Sequence, residues 1–342
     1  MRLRATSEPS PDDAETPAQT HLTGWVDVTA LLPERRHRNV GDLVFRGLTA
    51  AAAWSMVAIV ASVVIVLAWE SSGAMRTFGW GFLTDQKWDP VTQEYGALPF
   101  IYGTIMSSLL ALALAVPLGI GTAVFLSEMA PEGVRAPIAF LVELLAAIPS
   151  VIYGLWGIFV LVPTVRSTIG PALADTLGFL PFFQGPNYGV SLLTAGIILA
   201  VMVVPYITSV SLEVFRTVPT AQREGALALG ATRWEMIRMA VLPYGRVGVI
   251  GAVMLGLGRA LGETMAVTMV IGNRPEIAVS FFAPGSTMAS VIANEFSEAT
   301  SALYVQVLVE IGLVLLAVTM LVNVMARLLV WRVGSVGATS GT

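Results

Sequence analysis

Apolar residues gather into six runs, each nearly free of charge and each as long as a helix needs to cross a bilayer core, about 20 residues. The runs occupy positions 47–69, 101–127, 138–162, 190–212, 247–271 and 303–326. This pattern predicts an all-α fold, a polytopic transmembrane bundle of six helices. It divides the chain into an N-terminal tail at 1–46, a membrane domain at 47–326 and a C-terminal tail at 327–342. Residues 1–38 begin with an acidic Ser/Pro/Asp/Glu stretch without an apolar core, so they read as a largely disordered tail and not as a signal peptide. The segment 163–189 between the third and fourth runs mixes proline and glycine with apolar residues. It reads as an outer loop that either docks something or caps the bundle.

Composition sharpens the picture. Of 342 residues, 55% are hydrophobic and 12% charged, about half the charge of a soluble domain, which excludes an ordinary water-soluble enzyme. The charges are partitioned: only Glu143, Arg259, Glu263 and Glu310 fall inside the runs. There is no cysteine, and the two histidines, His21 and His37, both lie in the N-terminal region. A zinc site, a thiol nucleophile or an iron–sulfur cluster therefore lacks its ligands, and no metal site is expected. The single lysine, Lys87, follows Gln86, so there is no Gly-Lys-Ser/Thr phosphate loop. With no His, Cys or paired-carboxylate constellation, no catalytic residues are assigned and a membrane-embedded enzyme is disfavoured.

The basic residues also orient the chain. With the N-terminus cytoplasmic, that side carries 14 of the 19 basic residues and the opposite side four, Arg76, Lys87, Arg166 and Arg274. The positive-inside rule then places both termini in the cytoplasm.

The cytoplasmic segment 213–246 is the most informative. Pro219 suits the start of a helix, and Gly230 suits its end in the left-handed conformation. Thr232 followed by Glu235 is a capping box that starts a second helix, expected to stop near Leu242 before Pro243. Such a pair of short helices is read as a membrane-surface connector, or as a helix offered to a groove on a partner. DNA binding is discounted because the unit is tethered between two spans.

Glu224-Gly225-Ala226, then Gly230, Ile237 and Leu242-Pro243, resemble the EAA loop of bacterial ABC-importer permeases, with Gly225 in place of the first alanine. Further stretches resemble the permeases of phosphate importers. These are Tyr95-Gly-Ala-Leu-Pro-Phe100 with Gly103-Thr104, the run from Glu143 through Pro149 to Gly157, and Gly258-Arg-Ala-Leu-Gly-Glu-Thr-Met-Ala-Val267. The first favours the PstC type over its PstA partner. The resemblance covers about residues 45–330. It implies the type I (MetI-like) ABC-importer permease fold in a bacterial inner membrane, and half of a phosphate pathway. It also implies a PstA-like second permease, a PstB-like ATPase dimer and a PstS-like phosphate-binding protein. No cofactor is expected on this chain, ATP and Mg belonging to the ATPase. Substitution of the first alanine by Gly225 lowers helix propensity by about 1 kcal/mol.

Arg259 and Glu263 stand four apart, hence on one helix face. Counted from Val247, Arg259 lies roughly 18 Å along its run, near the midplane. The pair is read either as a self-neutralising ion pair that aids packing, or as part of the substrate path, arginine being suited to bidentate contact with an oxyanion. Gly251, Gly258 and Gly262 on the same stripe read as a helix-packing surface. Pro149 is expected to kink the third helix and shape a gate. Glu143, six residues before it, is read as gate or as a structural contact to headgroups or a neighbouring helix. Glu310, roughly 10 Å into the last run, reads either as paired with a cation on the partner permease or as protonated. The rival functions are a permease for sulfate or molybdate, and a secondary transporter or channel; the latter need no EAA-like loop.

Overall fold

The structure, a computed structural model, describes residues 40–335. Most of the predicted N-terminal tail and the end of the C-terminal tail lie outside the described residues, and with them the expected disorder. Among the described residues, six helices are long and apolar enough to cross a membrane: α1 (Val40–Glu70), α3 (Leu98–Met129), α5 (Ser150–Leu177), α6 (Leu192–Arg216), α8 (Arg233–Leu261) and α11, whose apolar part is Ala302–Leu328 of the helix Ala302–Ser335. Between them come the shorter helices α2 (Ser72–Phe78), α4 (Glu132–Ala147), α7 (Thr220–Ala228), α9 (Met265–Val270) and α10 (Met288–Glu295). A two-residue hairpin pairs β1 (Trp88–Asp89) with β2 (Glu94–Tyr95).

Internal packing divides the chain into two units, Met1–Ile59 and Val60–Thr342. The described part of the first is the leading portion of α1, a helix without a buried residue. In the second unit α6 is central: 67% of its apolar window is buried, against 33% or less in the other five helices. Close approach is bought with glycine. A Cβ on Gly119 of α3 would stand 2.8 Å from Ile207, and one on Gly196 of α6 2.5 Å from Leu110. Across the opposite contact, Gly245, Gly248 and Gly256 of α8 face Phe215, Val214 and Val203 of α6. The predicted packing stripe is thereby corrected: nothing in the described chain comes within 4 Å of a Cβ on Gly251 or Gly258. The glycines one helical face away do the packing.

Three apolar clusters follow. The main core joins α3, α5, α6 and α9 through Ala111, Ala115, Tyr153, Val165, Ile198, Val203, Ile207 and Val270. A second lies under the hairpin, where Phe82, Tyr95, Phe100, Met288, Tyr304 and Leu308 pack together. There the Trp88 ring meets Tyr95 and Phe100 edge-on at 5.1 and 4.7 Å, and Glu295 accepts hydrogen bonds from Trp88 Nε1, at 2.9 Å, and from the Tyr304 hydroxyl. A third gathers Leu126, Leu212, Phe215, Met236, Ile237 and Val241, where α3, α6 and α8 meet beside α7.

The helix boundaries correct three expectations. The run 138–162 is not one helix. Ile148 and Pro149 are extended (ψ 128° and 140°), so α4 ends and α5 begins there. The proline breaks the helix where a kink was expected. The third crossing is instead α5, and the first half of the predicted outer loop 163–189 is helical.

The second correction concerns proline. Pro163, Pro171 and Pro243 all lie inside α5 or α8, and each follows a π-helical turn: Gly157–Leu161, Val165–Ile169 and Ile237–Val241. The residue before each proline, Val162, Gly170 or Leu242, donates its N–H five residues back instead of four. That wider turn relieves the clash between the proline ring and the preceding turn that would otherwise stop the helix. The second helix of the loop therefore does not end at Leu242, as the sequence pattern predicts, but continues as a membrane-length helix.

Third, the run 247–271 is divided. Its helix starts at Arg233 and ends at Leu261, with Gly262 as C-cap; α9 follows after Thr264. The segment 271–287 then folds back on the start of α6. The backbone N–H groups of Ser191, Leu192 and Leu193 donate to the carbonyls of Val270, Ala283 and Phe281 at 3.1, 3.1 and 2.8 Å, satisfying donors that a helix start leaves free.

Candidate functional site

Arg259 sits in the last turn of α8, not at the centre of its helix, and Glu263 lies beyond the helix end. They still meet: Arg259 Nη2 is 3.6 Å from Glu263 Oε2, with the arginine side chain 37% exposed and the glutamate 5%. Glu263 serves two groups at once, because its Oε1 also accepts the Ala266 N–H of α9 at 3.3 Å. The carboxylate thus anchors the start of α9, and the ion pair straddles the break between two helices.

The rest of the arginine is held by an aromatic ring. Its Cζ stands 5.3 Å from the centroid of Tyr206 of α6, within cation–π range. Among the described residues Arg259 donates no hydrogen bond shorter than the Glu263 contact, and its buried Nε has no partner. A guanidinium carries five N–H donors in a planar fork. Most of this one is therefore uncommitted, which is the condition for receiving an oxyanion.

Tyr206 reaches the helix break as well. Its hydroxyl donates to the Ala146 carbonyl at 3.3 Å, and Tyr153 of α5 donates to the Leu145 carbonyl at 2.8 Å. These are C-terminal carbonyls of α4 that have no continuing helix to bond, because Pro149 interrupts it. The break at Pro149 and the charge at Arg259 are joined through one tyrosine. Nothing in the spacing of the sequence singles out Tyr206; its one signal there is that a tyrosine within a span needs a partner for its hydroxyl.

The other intramembrane candidates are apart from this centre. Glu143, on α4, is exposed and lines a cavity of about 140 Å³ with Thr208, Ser209, Glu213 and Arg216. Glu310 of α11 is buried at 5% exposure, and its Oε2 has no hydrogen-bond partner among the described residues.

The loop motif forms a second site. Gly230 has φ +87° and closes α7. Thr232 and Glu235 make both halves of the capping box, Glu235 Oε2 accepting the Thr232 N–H at 2.8 Å and Thr232 Oγ1 the Glu235 N–H at 3.3 Å. Ile237 is buried and Ala226 and Leu242 pack on the same cluster, whereas Glu224, Gly225 and Pro243 are exposed. The two ends of the motif come together: Gly225, Ala226 and Pro243 line one open groove of about 440 Å³ with Gln222, Met239 and Tyr244. The buried members place α7 on the membrane helices, and the exposed members leave a concave surface beside it.

Residues 115–335 match the family model of the binding-protein-dependent transport system inner membrane component. The chain is 48% identical over 296 residues to the phosphate transport system permease protein PstC of Mesorhizobium japonicum, covering 85% of this chain and 90% of that protein. It is 46% identical over 295 residues to PstC of Haemophilus influenzae, with 85% and 93% covered. Against PstC 2 of Mycobacterium tuberculosis it is 42% identical over 303 residues, with 86% and 92% covered. Among solved structures, a bacterial alginate ABC transporter in complex with alginate pentasaccharide-bound periplasmic protein superposes with a TM-score of 0.58 at 18% identity, covering 85% of this chain and 94% of that one. This likeness establishes the fold, that of type I ABC-importer permeases. The chain is a multi-pass membrane protein that belongs to the family of binding-protein-dependent transport system inner membrane components and groups within it with the PstC permeases.

Proposed function

We propose that this chain is the permease subunit of an ATP-driven phosphate importer. It forms one half of the translocation path beside a PstA-like permease, receives phosphate from a PstS-like binding protein on the outer face, and couples to a PstB-like ATPase dimer that holds ATP and Mg. Both termini and α7 face the cytoplasm in this reading, supported by the 14-to-four asymmetry of basic residues. The groove lined by Gly225, Ala226 and Pro243 is the surface presented to the ATPase. The chain itself carries transport and makes no covalent bond.

The observation that carries the substrate assignment is the state of Arg259. It is partly exposed, steadied by Tyr206 and Glu263, and has donors to spare. A phosphate oxyanion meets that fork bidentately, and Glu263 holds the arginine in place when phosphate is absent. Hydrogen bonds to a charged group contribute about 1.5–3 kcal/mol, so Arg259→Ala is expected to lower phosphate uptake by at least roughly tenfold while the protein still inserts. Radiolabelled phosphate uptake by the complete transporter, with the membrane level of the variant measured alongside, tests this. Unchanged uptake would remove Arg259 from the path, and stronger competition by sulfate or molybdate than by phosphate would reassign the substrate.

A further inference from the structure

One guanidinium ties the loop helix to the membrane helices. Arg223, on the first turn of α7, donates from Nε to Glu128 Oε2 at 3.2 Å and from Nη2 to Glu128 Oε1 at 2.9 Å, the side-on geometry of a bidentate pair. Its Nη1 donates to the Val218 carbonyl at 2.6 Å and its Nη2 also to the Phe215 carbonyl at 2.7 Å. Glu128 belongs to the π turn Phe125–Met129 that ends α3 and accepts a further hydrogen bond from Ser127 Oγ at 2.7 Å. Phe215 and Val218 lie at the end of α6 and just after it. A single side chain therefore joins three elements: α7, the end of α3 and the end of α6. The same π turn is gripped from α4 by Arg135, whose Nη2 donates to the Ser127 and Ala130 carbonyls at 3.1 and 3.4 Å.

Burial separates this pair from the surface ion pairs. The Arg223 and Glu128 side chains are 19% and 6% exposed, whereas Lys87–Glu94 and Arg216–Glu213 range from 48% to 69%. Little else fastens α7. It is nine residues long with none buried, and only Arg223 and Ala226 are even half-buried. A helix of that length does not hold its own conformation or place in water. Any displacement of α7 must therefore either carry the ends of α3 and α6 with it or break the bonds of Arg223. Those two helices pack through Gly119 and Gly196 along their length, and α6 carries Tyr206, the ring beneath Arg259.

From this geometry we infer that Arg223 is the positioning residue of coupling: with Glu128 it makes α7 and the ends of α3 and α6 move as one body, so that motion of the ATPase reaches the substrate path. This rests on the reading of α7 as the ATPase-facing helix. The test uses the complete transporter with its binding protein, reconstituted in proteoliposomes, and reads ATP hydrolysed per phosphate transported. Arg223→Met and the nearly isosteric Glu128→Gln should each raise that ratio at least fivefold while ATP hydrolysis persists. Arg223→Lys should fall between them and wild type, and the double variant should be no worse than Arg223→Met alone, because both remove one link. A ratio that stays at the wild-type value, whether both rates fall together or neither changes, overturns the inference. So does failure of both single variants to assemble, which would make the pair a folding element. The wild-type arm separates this from the functional reading: a wild-type complex that takes up no phosphate rejects that reading, whereas normal wild-type uptake with an unchanged ratio in the variants rejects the role of Arg223 alone.

Discussion

Arg259 is available because its partners hold it without using it up. Glu263 divides its carboxylate between the guanidinium and the Ala266 N–H, and Tyr206 offers a ring face, which attracts the cation without occupying a donor direction. The two parts of Tyr206 have separable jobs. Tyr206→Phe keeps the ring and removes only the bond to the Ala146 carbonyl, so uptake should change by no more than about tenfold, the upper reach of the roughly 0.5–1.5 kcal/mol of one net hydrogen bond. Tyr206→Leu removes the ring as well, and with it a cation–π contact of roughly 0.5–2 kcal/mol. Its apparent affinity for phosphate should weaken beyond that of the Phe variant. Concentration-dependent uptake by the two variants checks the order; equal affinities would mean the ring does not steady Arg259.

At the level of elements, the same chemistry has opposite results according to the turn before it. Pro149 ends α4, whereas Pro163, Pro171 and Pro243 are absorbed behind π turns. The sequence displays these four prolines alike, and among them the register of the preceding hydrogen bonds separates the one that breaks a helix from the three that do not, whereas Pro117 and Pro205 are carried inside α3 and α6 without a π turn before them. Gly230, in contrast, was legible. The spacing to the capping box requires a turn there, and φ +87° is a conformation that side chains with a Cβ enter at a cost of about 1–2 kcal/mol. Gly230→Val should therefore re-aim α7 against α8 and uncouple ATP hydrolysis from phosphate transport, while Gly230→Asn, better tolerated in that region, should be milder. Parallel assays of hydrolysis and uptake decide it; coupled, substrate-stimulated hydrolysis in the valine variant would contradict the assigned role of the loop.

Across the second unit, close helix packing is set by where glycine faces a backbone or a branched side chain. Gly103 of α3 is the tightest such point against backbone: a Cβ there would stand 2.0 Å from the Ser286 carbonyl oxygen. The adjacent Thr104 Oγ1 accepts the Met288 N–H at 2.9 Å. The pair of residues docks α3 onto the start of α10. Gly103→Ala must push that backbone away, an overpacking of about 1–3 kcal/mol, and should lower the thermal midpoint of the full-length protein in detergent. Gly121→Ala, on the same helix with nothing within 4 Å, is the control and should leave it nearly unchanged. Equal midpoints for the two variants would show that the contact yields freely.

Local chemistry alone determined a good deal. Runs of apolar residues long enough to span a bilayer leave only helices as a solution, since every backbone polar group must then be satisfied within its own segment. The EAA-like spacing, the glycine turn and the capping box were also readable, because each depends on a few neighbouring residues. The tertiary structure decided what lies between distant residues. It placed Tyr206 under Arg259, split the third run at Pro149 so that the crossing became α5, and ended α8 before Glu263. It moved the packing glycines from positions 251 and 258 to 245, 248 and 256, and it joined Arg223 to Glu128 across 95 residues of chain. Hydrophobic periodicity records which residues leave water, but not which helix receives them. A half-buried arginine and its buried carboxylate look in the sequence like any other two charges until the fold brings them together and removes the water between them.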